Sequence, residues 1–166
     1  MKRRLVLIRH AKSSWSNPLQ SDYDRPLNER GQTDAPMMGE RLKAKGVIPD
    51  MIIASTAKRA SETAKIIANA VDYDEQKINW QDKLYHCNSS VFDEMLEDIP
   101  DTVQTVFIVA HNPGVSEYAS AFEANSPIDQ MPTCGIAGVE FDTDHWYDFN
   151  HTKRQVFLFD YPKKNG

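Results

Sequence analysis

Leu5-Val6-Leu7-Ile8-Arg9-His10-Ala11-Lys12-Ser13 opens the chain with four consecutive apolar residues that break abruptly into a cation, an imidazole and small polar groups. A short, uninterrupted apolar run of this kind is what a strand covered on both faces requires. Such strands belong to open α/β sheets, which bind ligands in the crevice beyond their carboxyl ends. The run therefore predicts a buried first strand that delivers Arg9 and His10 to a binding crevice. An arginine there offers a planar fork of donors for phosphate or carboxylate, and a neutral imidazole beside it can attack phosphorus. Taken alone, the dipeptide is explained more simply by a salt-bridged arginine next to a satisfied surface histidine.

Its grammar recurs twice. Met51-Ile52-Ile53-Ala54 ends in Ser55-Thr56-Ala57-Lys58-Arg59, and a helix follows through Thr63, Ala64, Ile66, Ile67 and Ala70 at a 3.6-residue period. Arg59 falls in the first turn of that helix, where the helix dipole disfavours a cation unless an anion shares the site; a solvated surface arginine is the alternative. Thr105 to Ala110, apolar and β-branched, is the strongest strand of the chain. It runs into His111-Asn112-Pro113-Gly114 and a helix carrying Val115, Tyr118, Ala119 and Phe122. Three buried strands thus end by presenting a basic or imidazole side chain.

Between these segments the pattern is simpler. Ser14 to Pro26 reads as a loop that walls whatever binds beyond His10. A helix over Ala35, Met38 and Leu42 follows, capped by Asn28 or Thr33 and stopped at Gly46. Ile78 to Gln81 fits an edge strand, Leu84 to Asn88 a loop, and Ser90 the cap of a helix from Val91 to about Asp98, with Asp93 and Glu94 serving helix electrostatics. Asn125 to Pro132 reads as a loop, and Gly135 to Phe141 and Gln155 to Phe159 as two further strands.

With 166 residues the chain is expected to form a single domain over 1–166, burying roughly 70% of the surface that its unfolded form exposes. The 40% hydrophobic and 26% charged content is that of an ordinary globular protein. A net charge of -5 argues against nucleic acid, and Lys2-Arg3-Arg4 and Lys163-Lys164 read as solvated ends. The first apolar run stops at Ile8, too short for a signal peptide, and no stretch is long enough to span a membrane. Cys87 and Cys134 form no metal or disulfide pattern and fit a reducing cytoplasm. Neither a metal cluster nor a Gly-rich phosphate loop is present, so no cofactor is expected, and nothing specifies an oligomeric state.

If the three strands are neighbours in a parallel sheet, Arg9, His10, Arg59 and His111 converge on one crevice suited to a multiply charged oxyanion, with no carboxylate in the set. At this point the sequence resembles the histidine phosphatase superfamily, also called phosphoglycerate mutase-like. Its Arg-His-Gly signature reads here Arg9-His10-Ala11, a variant found in the small SixA-type phosphohistidine phosphatases. Asp24-Arg25-Pro26-Leu27-Asn28-Glu29-Arg30-Gly31, Ser55 to Ala64, and Val109-Ala110-His111-Asn112-Pro113-Gly114 match further family blocks in order.

That resemblance implies a three-layer α/β/α fold with a mostly parallel central sheet and no large cap domain. It implies His10 as nucleophile through a phosphohistidine intermediate, with Arg9, Arg59 and His111 on the phosphoryl oxygens and no metal. Ser13, Ser16 and Asn17 lie where family members place phosphate-contacting groups, Tyr85 is a pocket wall, and Asn112 orients His111 or contacts phosphate. Members acting on esters carry an acid near the position of Leu84, whereas this chain reads Leu84-Tyr85-His86; His86 is the lesser candidate for that role. General-acid help is worth about 100-fold to 10,000-fold, and an imidazole leaving group needs less of it than an alkoxide. The expected partner is therefore a protein phosphorylated on histidine. A small phosphorylated metabolite (a sugar phosphate or nucleotide) is the alternative substrate, and a non-catalytic phosphate-binding module the alternative of another class.

Overall fold

The structure, a computed structural model, describes residues 1–126 and 128–164. Six strands form one sheet: β1 (Lys2–Arg9), β2 (Met51–Ala54), β3 (Asn79–Trp80), β4 (Thr105–Ala110), β5 (Ile136–Asp142) and β6 (Arg154–Asp160). Their order is β3-β2-β4-β1-β5-β6. The first four are mutually parallel, while β5 runs antiparallel to β1 and β6 antiparallel to β5. Four helices complete the three layers: α1 (Glu29–Ala44), α2 (Lys58–Ala70), α3 (Ser90–Glu97) and α4 (Gly114–Ser120).

The period of two along each strand divides the core. Val6 and Ile8 of β1, Ile52 and Ala54 of β2, and Phe107 and Val109 of β4 pack with Met38 and Leu42 of α1 and Ala64 and Ile67 of α2. Their neighbours in sequence, Leu5, Leu7, Ile53, Val106 and Ile108, face the other way onto Phe92 and Leu96 of α3 and Val115 and Ala119 of α4. Every one of these strand residues is at least 98% buried, and each of the valine, leucine, isoleucine and phenylalanine side chains contributes about 1.5–3 kcal/mol. This is why β1 and β4 read as unbroken apolar runs. Gly39 lets α1 approach α2 closely, since a Cβ there would stand 2.5 Å from that of Ala70.

Helices α1 and α2 cover one face and carry the chain from β1 toward β2 and β3; α3 and α4 cover the other and carry it back through β4 to β5. The direction of winding therefore reverses between the neighbours β1 and β4, and a crevice opens at such a switch point.

Several local expectations are corrected. Asn28, not Thr33, caps α1, its Oδ1 accepting from the Gly31 amide at 2.9 Å. Ser90 is the first residue of α3 rather than its cap, and its hydroxyl bonds Asn88. Trp146, in the connection between β5 and β6, is fully buried on a 3-10 turn over Trp146–His151. Arg3 is no solvated end: it is 1% exposed, and its guanidinium donates to the carbonyls of Asp101, Val103, Thr143 and Asp144 at 2.7–3.0 Å. Alternation points position 3 into the sheet, and four carbonyls supply the acceptors that a buried cation requires. The loop expected over 125–132 includes Pro127, which lies outside the described residues.

Candidate active site

Strand register builds the site. Arg9 pairs with Ala110 across β1 and β4, and Ala54 with Val109 across β2 and β4, so His10, His111 and Ser55 step off three adjacent strands at one level. The His10 amide donates to the Ala110 carbonyl at 3.1 Å, and the His10 carbonyl accepts from Cys134 at 2.9 Å. The two imidazoles stand 5.1 Å apart, centroid to centroid. Beyond His10 the chain is held by α2: the Ala11 amide donates to Thr63 Oγ1 at 3.0 Å, and Thr63 donates to the Arg59 carbonyl at 2.8 Å. Ala11 is fully buried and needs no positive φ, so alanine meets the demands of that position.

His10 Nδ1 lies 2.8 Å from the Ala11 carbonyl oxygen. A carbonyl can only accept, so Nδ1 carries the proton and the lone pair sits on Nε2. Burial pushes the His10 pKa down to about 3, with the Arg59, Arg9 and Arg25 guanidiniums adding to the effect and the Ala11 acceptor opposing it. His111 is pushed to about 2, first by burial and then by His10 and Arg59; its Nε2 contacts Ser55 Oγ at 2.8 Å. Both rings are therefore neutral at physiological pH.

Three guanidiniums reach the crevice. Arg9 donates through Nη1 to the Met131 carbonyl at 3.0 Å. Arg59 is 5% exposed and donates through Nη1 to the Asp22 carbonyl at 2.6 Å and through Nη2 to its carboxylate at 3.1 Å. Arg25 gives Nε to Asp22 Oδ1 at 3.1 Å and Nη1 to Ser13 Oγ at 2.9 Å, while stacking 3.6 Å from the Trp15 ring centroid. Arg9 Nε, Arg59 Nε and His111 Nδ1 are buried without partners. Unpaired buried groups cost about 1–3 kcal/mol apiece, a cost that functional sites carry and ordinary cores avoid.

A carboxylate thus belongs to the set, contrary to expectation. Asp22 Oδ2 accepts from the Tyr85 hydroxyl at 2.6 Å as well as from Arg59, and those bonds with the nearby Arg25 hold its pKa down at about 2. The cavity, about 240 Å³, is lined by Arg9, His10, Lys12, Ser13, Trp15, Asp22, Arg25, Arg59, His86, His111, Asn112 and Thr133. A larger hollow of about 740 Å³ lies at the opposite end of β1, among Lys2, Glu140 and Asp142, and contains no imidazole. Among the described residues, no cluster of His, Cys, Asp or Glu can hold a metal ion, and no helix is long and apolar enough to cross a membrane.

Arg9, His10, Arg59, His111 and Ser13 come together as expected, with the Ser13 hydroxyl proton free to donate. Tyr85 is not among the residues lining the cavity; it stands beside them, its ring 5.6 Å from that of His111 and its hydroxyl bonded to Asp22. Asn112 lines the cavity, but its amide braces the turn after β4, donating to the Met131 carbonyl and accepting from Ser116. Ser16 and Asn17 are not brought to the cavity. Both are exposed, Ser16 bonded to Ser14 and Asn17 to the Leu19 amide, because the loop turns back on itself there. His86 stands at the mouth with φ +55°, its Nε2 3.8 Å from Asp22 Oδ2. Sequence reading missed Asp22, Arg25 and Thr63. The three-residue spacing of Asp22 and Arg25 in the walling loop was the available signal, since it permits an ion pair within one turn.

The family model described as the histidine phosphatase superfamily (branch 1) matches residues 5–105. An uncharacterized chloroplastic protein of Arabidopsis thaliana is 32% identical over 157 residues, covering 88% of this chain and 70% of that protein. A 2,3-bisphosphoglycerate-dependent phosphoglycerate mutase of Bifidobacterium longum is 42% identical over 74 residues, but these span 43% of this chain and 30% of the mutase. Among solved structures, a protein assigned as phosphohistidine phosphatase SixA from Agrobacterium tumefaciens superposes with a TM-score of 0.82 at 26% identity, covering 96% of this chain and 98% of its own. A mycobacterial glucosyl-3-phosphoglycerate phosphatase shares the fold at a TM-score of 0.65 and 17% identity, with 95% and 98% covered.

Proposed function

Because the chain belongs to branch 1 of the histidine phosphatase superfamily and is a hydrolytic phosphatase, we propose that its substrate is phosphohistidine on a protein and that His10 carries the phosphoryl group in transit. One observation carries the chemistry: a buried, neutral imidazole whose Nδ1 proton is tied to a backbone carbonyl, with Nε2 left open in a crevice ringed by guanidiniums. Phosphoryl transfer asks for positioning and for charge stabilisation on three equatorial oxygens. Arg9, Arg59 and Arg25 supply fixed cations, and Ser13 and His111 add hydrogen-bonding groups. The Nε2 lone pair of His10 attacks phosphorus as the leaving group departs, and water then attacks the phosphohistidine, returning the electron pair to His10.

Substrate class follows from the leaving group. Asp22 is the carboxylate of the cavity, and it is held ionised by Tyr85, Arg59 and Arg25, so it brings no proton for an alkoxide. A volume of about 240 Å³ admits a phosphoryl group but falls below the roughly 300–1,000 Å³ of sites that enclose small molecules. The likeness to a protein assigned as phosphohistidine phosphatase SixA supports the same substrate. A small phosphorylated metabolite is the second reading, favoured by His86 at the mouth, a side chain able to carry a proton.

The test compares wild type and His10→Ala on a phosphotransfer protein phosphorylated on histidine and on simple phosphate esters, with acid-labile phosphoenzyme trapped during turnover. Fast release from phosphohistidine, slow release from esters and none from the variant are expected. Faster turnover of alkyl esters would overturn the substrate assignment in favour of the metabolite.

A further inference from the structure

Asp22 is out of place in a phosphate site. Its carboxylate faces a cavity otherwise lined by cations, imidazoles and neutral groups, where a fixed anion opposes the entry of another. Bracing Arg59 does not require that side chain, because the guanidinium is already held at 2.6 Å by the Asp22 backbone carbonyl. An ionised carboxylate offers about four acceptor positions, and Tyr85, Arg59 and Arg25 take three. An imidazole can reach this carboxylate: the Nε2 of His86 stands 3.8 Å from Oδ2, with its ring 4.0 Å from that of Tyr85.

We propose that Asp22 pairs with the protonated imidazole of a phosphohistidine substrate and thereby selects an imidazole leaving group over an alkoxide or phenoxide; this rests on the phosphohistidine reading above. In such a substrate one ring nitrogen bears the phosphoryl group and the other an N–H, so the ring is cationic. That N–H donates to Asp22 while His10 Nε2 forms its bond to phosphorus. The substrate's P–N electron pair returns to its ring nitrogen, and a neutral imidazole that keeps its N–H departs. His10, which also keeps its Nδ1 proton, takes up the positive charge. One cation is exchanged for another, no proton donor is needed, and Asp22 stays ionised throughout. Tyr85, Arg59 and Arg25 face the carboxylate and keep it so, and His86 faces it at 3.8 Å.

The experiment measures kcat/KM of wild type and Asp22→Asn on two substrates, a phosphotransfer protein phosphorylated on histidine with phosphoramidate, and p-nitrophenyl phosphate. Asparagine keeps the size and an acceptor oxygen but removes the charge. Activity on phosphohistidine is expected to fall by about 10-fold to 100-fold, the scale of one lost hydrogen bond to a charged group, while turnover of the ester rises because one anion fewer opposes it. A ratio of the two activities lowered by tenfold or more supports the assignment. A smaller change overturns it; if both activities fall together, Asp22 only braces the guanidiniums. Should wild type leave the phosphorylated protein untouched, the substrate reading itself fails, which is distinct from an unmoved ratio in an enzyme that does cleave it.

Discussion

Replacing Thr63 by valine removes one hydroxyl and almost no volume. Thr63 is fully buried, and its Oγ1 is the acceptor for the Ala11 amide, one residue beyond the proposed nucleophile. Valine leaves that N–H unpaired in the interior, at a cost of about 1–3 kcal/mol. The methyl that takes the hydroxyl's place faces that N–H and the Arg59 carbonyl and bonds neither, so a net loss of about 1–2 kcal/mol is expected. With a slope of about 2 kcal/mol/M, the urea midpoint should fall by roughly 0.5–1 M. Catalysis should suffer more than stability. The bond fixes the turn that aims His10, and a misplacement of about 1 Å can cost 100-fold. Rapid-quench trapping of the phosphoenzyme is expected to show a 10-fold to 100-fold slower burst, with binding of inorganic phosphate less affected because Arg9 and Arg25 are untouched. Thr63→Ser keeps the hydroxyl, loses only a methyl, and should retain a burst near the wild-type rate. A Thr63→Val enzyme with a wild-type burst and midpoint would refute the claim that α2 positions the nucleophile through this bond.

Acid sensitivity follows from the two buried imidazoles. Their folded pKa values, about 3 for His10 and about 2 for His111, lie below the unfolded value near 6.5, so the unfolded chain binds protons first. Their contribution to stability is complete above about pH 6.5 and is lost as pH falls from there toward 3, at about 1.4 kcal/mol per pH unit for each histidine; urea midpoints of wild type and His10→Gln across pH 6.5 to 4.5 should differ in slope by one proton, and parallel slopes would contradict it. Arg3→Lys should destabilise by at least about 3 kcal/mol, because an ammonium cannot span four carbonyls set around a planar fork. Chemical denaturation measures that loss, and kcat of the folded fraction should stay at the wild-type value, since the residue lies at the far end of β1 from the site.

Much was fixed by order along the chain. Apolar runs of four to six residues, each ending in an imidazole or a basic side chain, required strands buried on both faces and a site at their carboxyl ends, and the alternation of Leu5 and Leu7 with Val6 and Ile8 places one set on each layer of helices. Arg9, His10 and His111 were legible for that reason: the site inherits the register of β1 against β4, a local consequence of backbone hydrogen bonding. What the tertiary structure alone decided concerns residues whose partners lie far away in sequence. Asp22 meets Arg59 and Tyr85 across 37 and 63 positions, Thr63 meets Ala11 across 52, and Arg3 reaches carbonyls about 100 and 140 positions away. Pattern along the chain registers burial and period; it does not register which polar group will face which. That pairing is set when helices and loops dock on the sheet, because a buried charge or donor must find a partner in whatever segment is brought beside it.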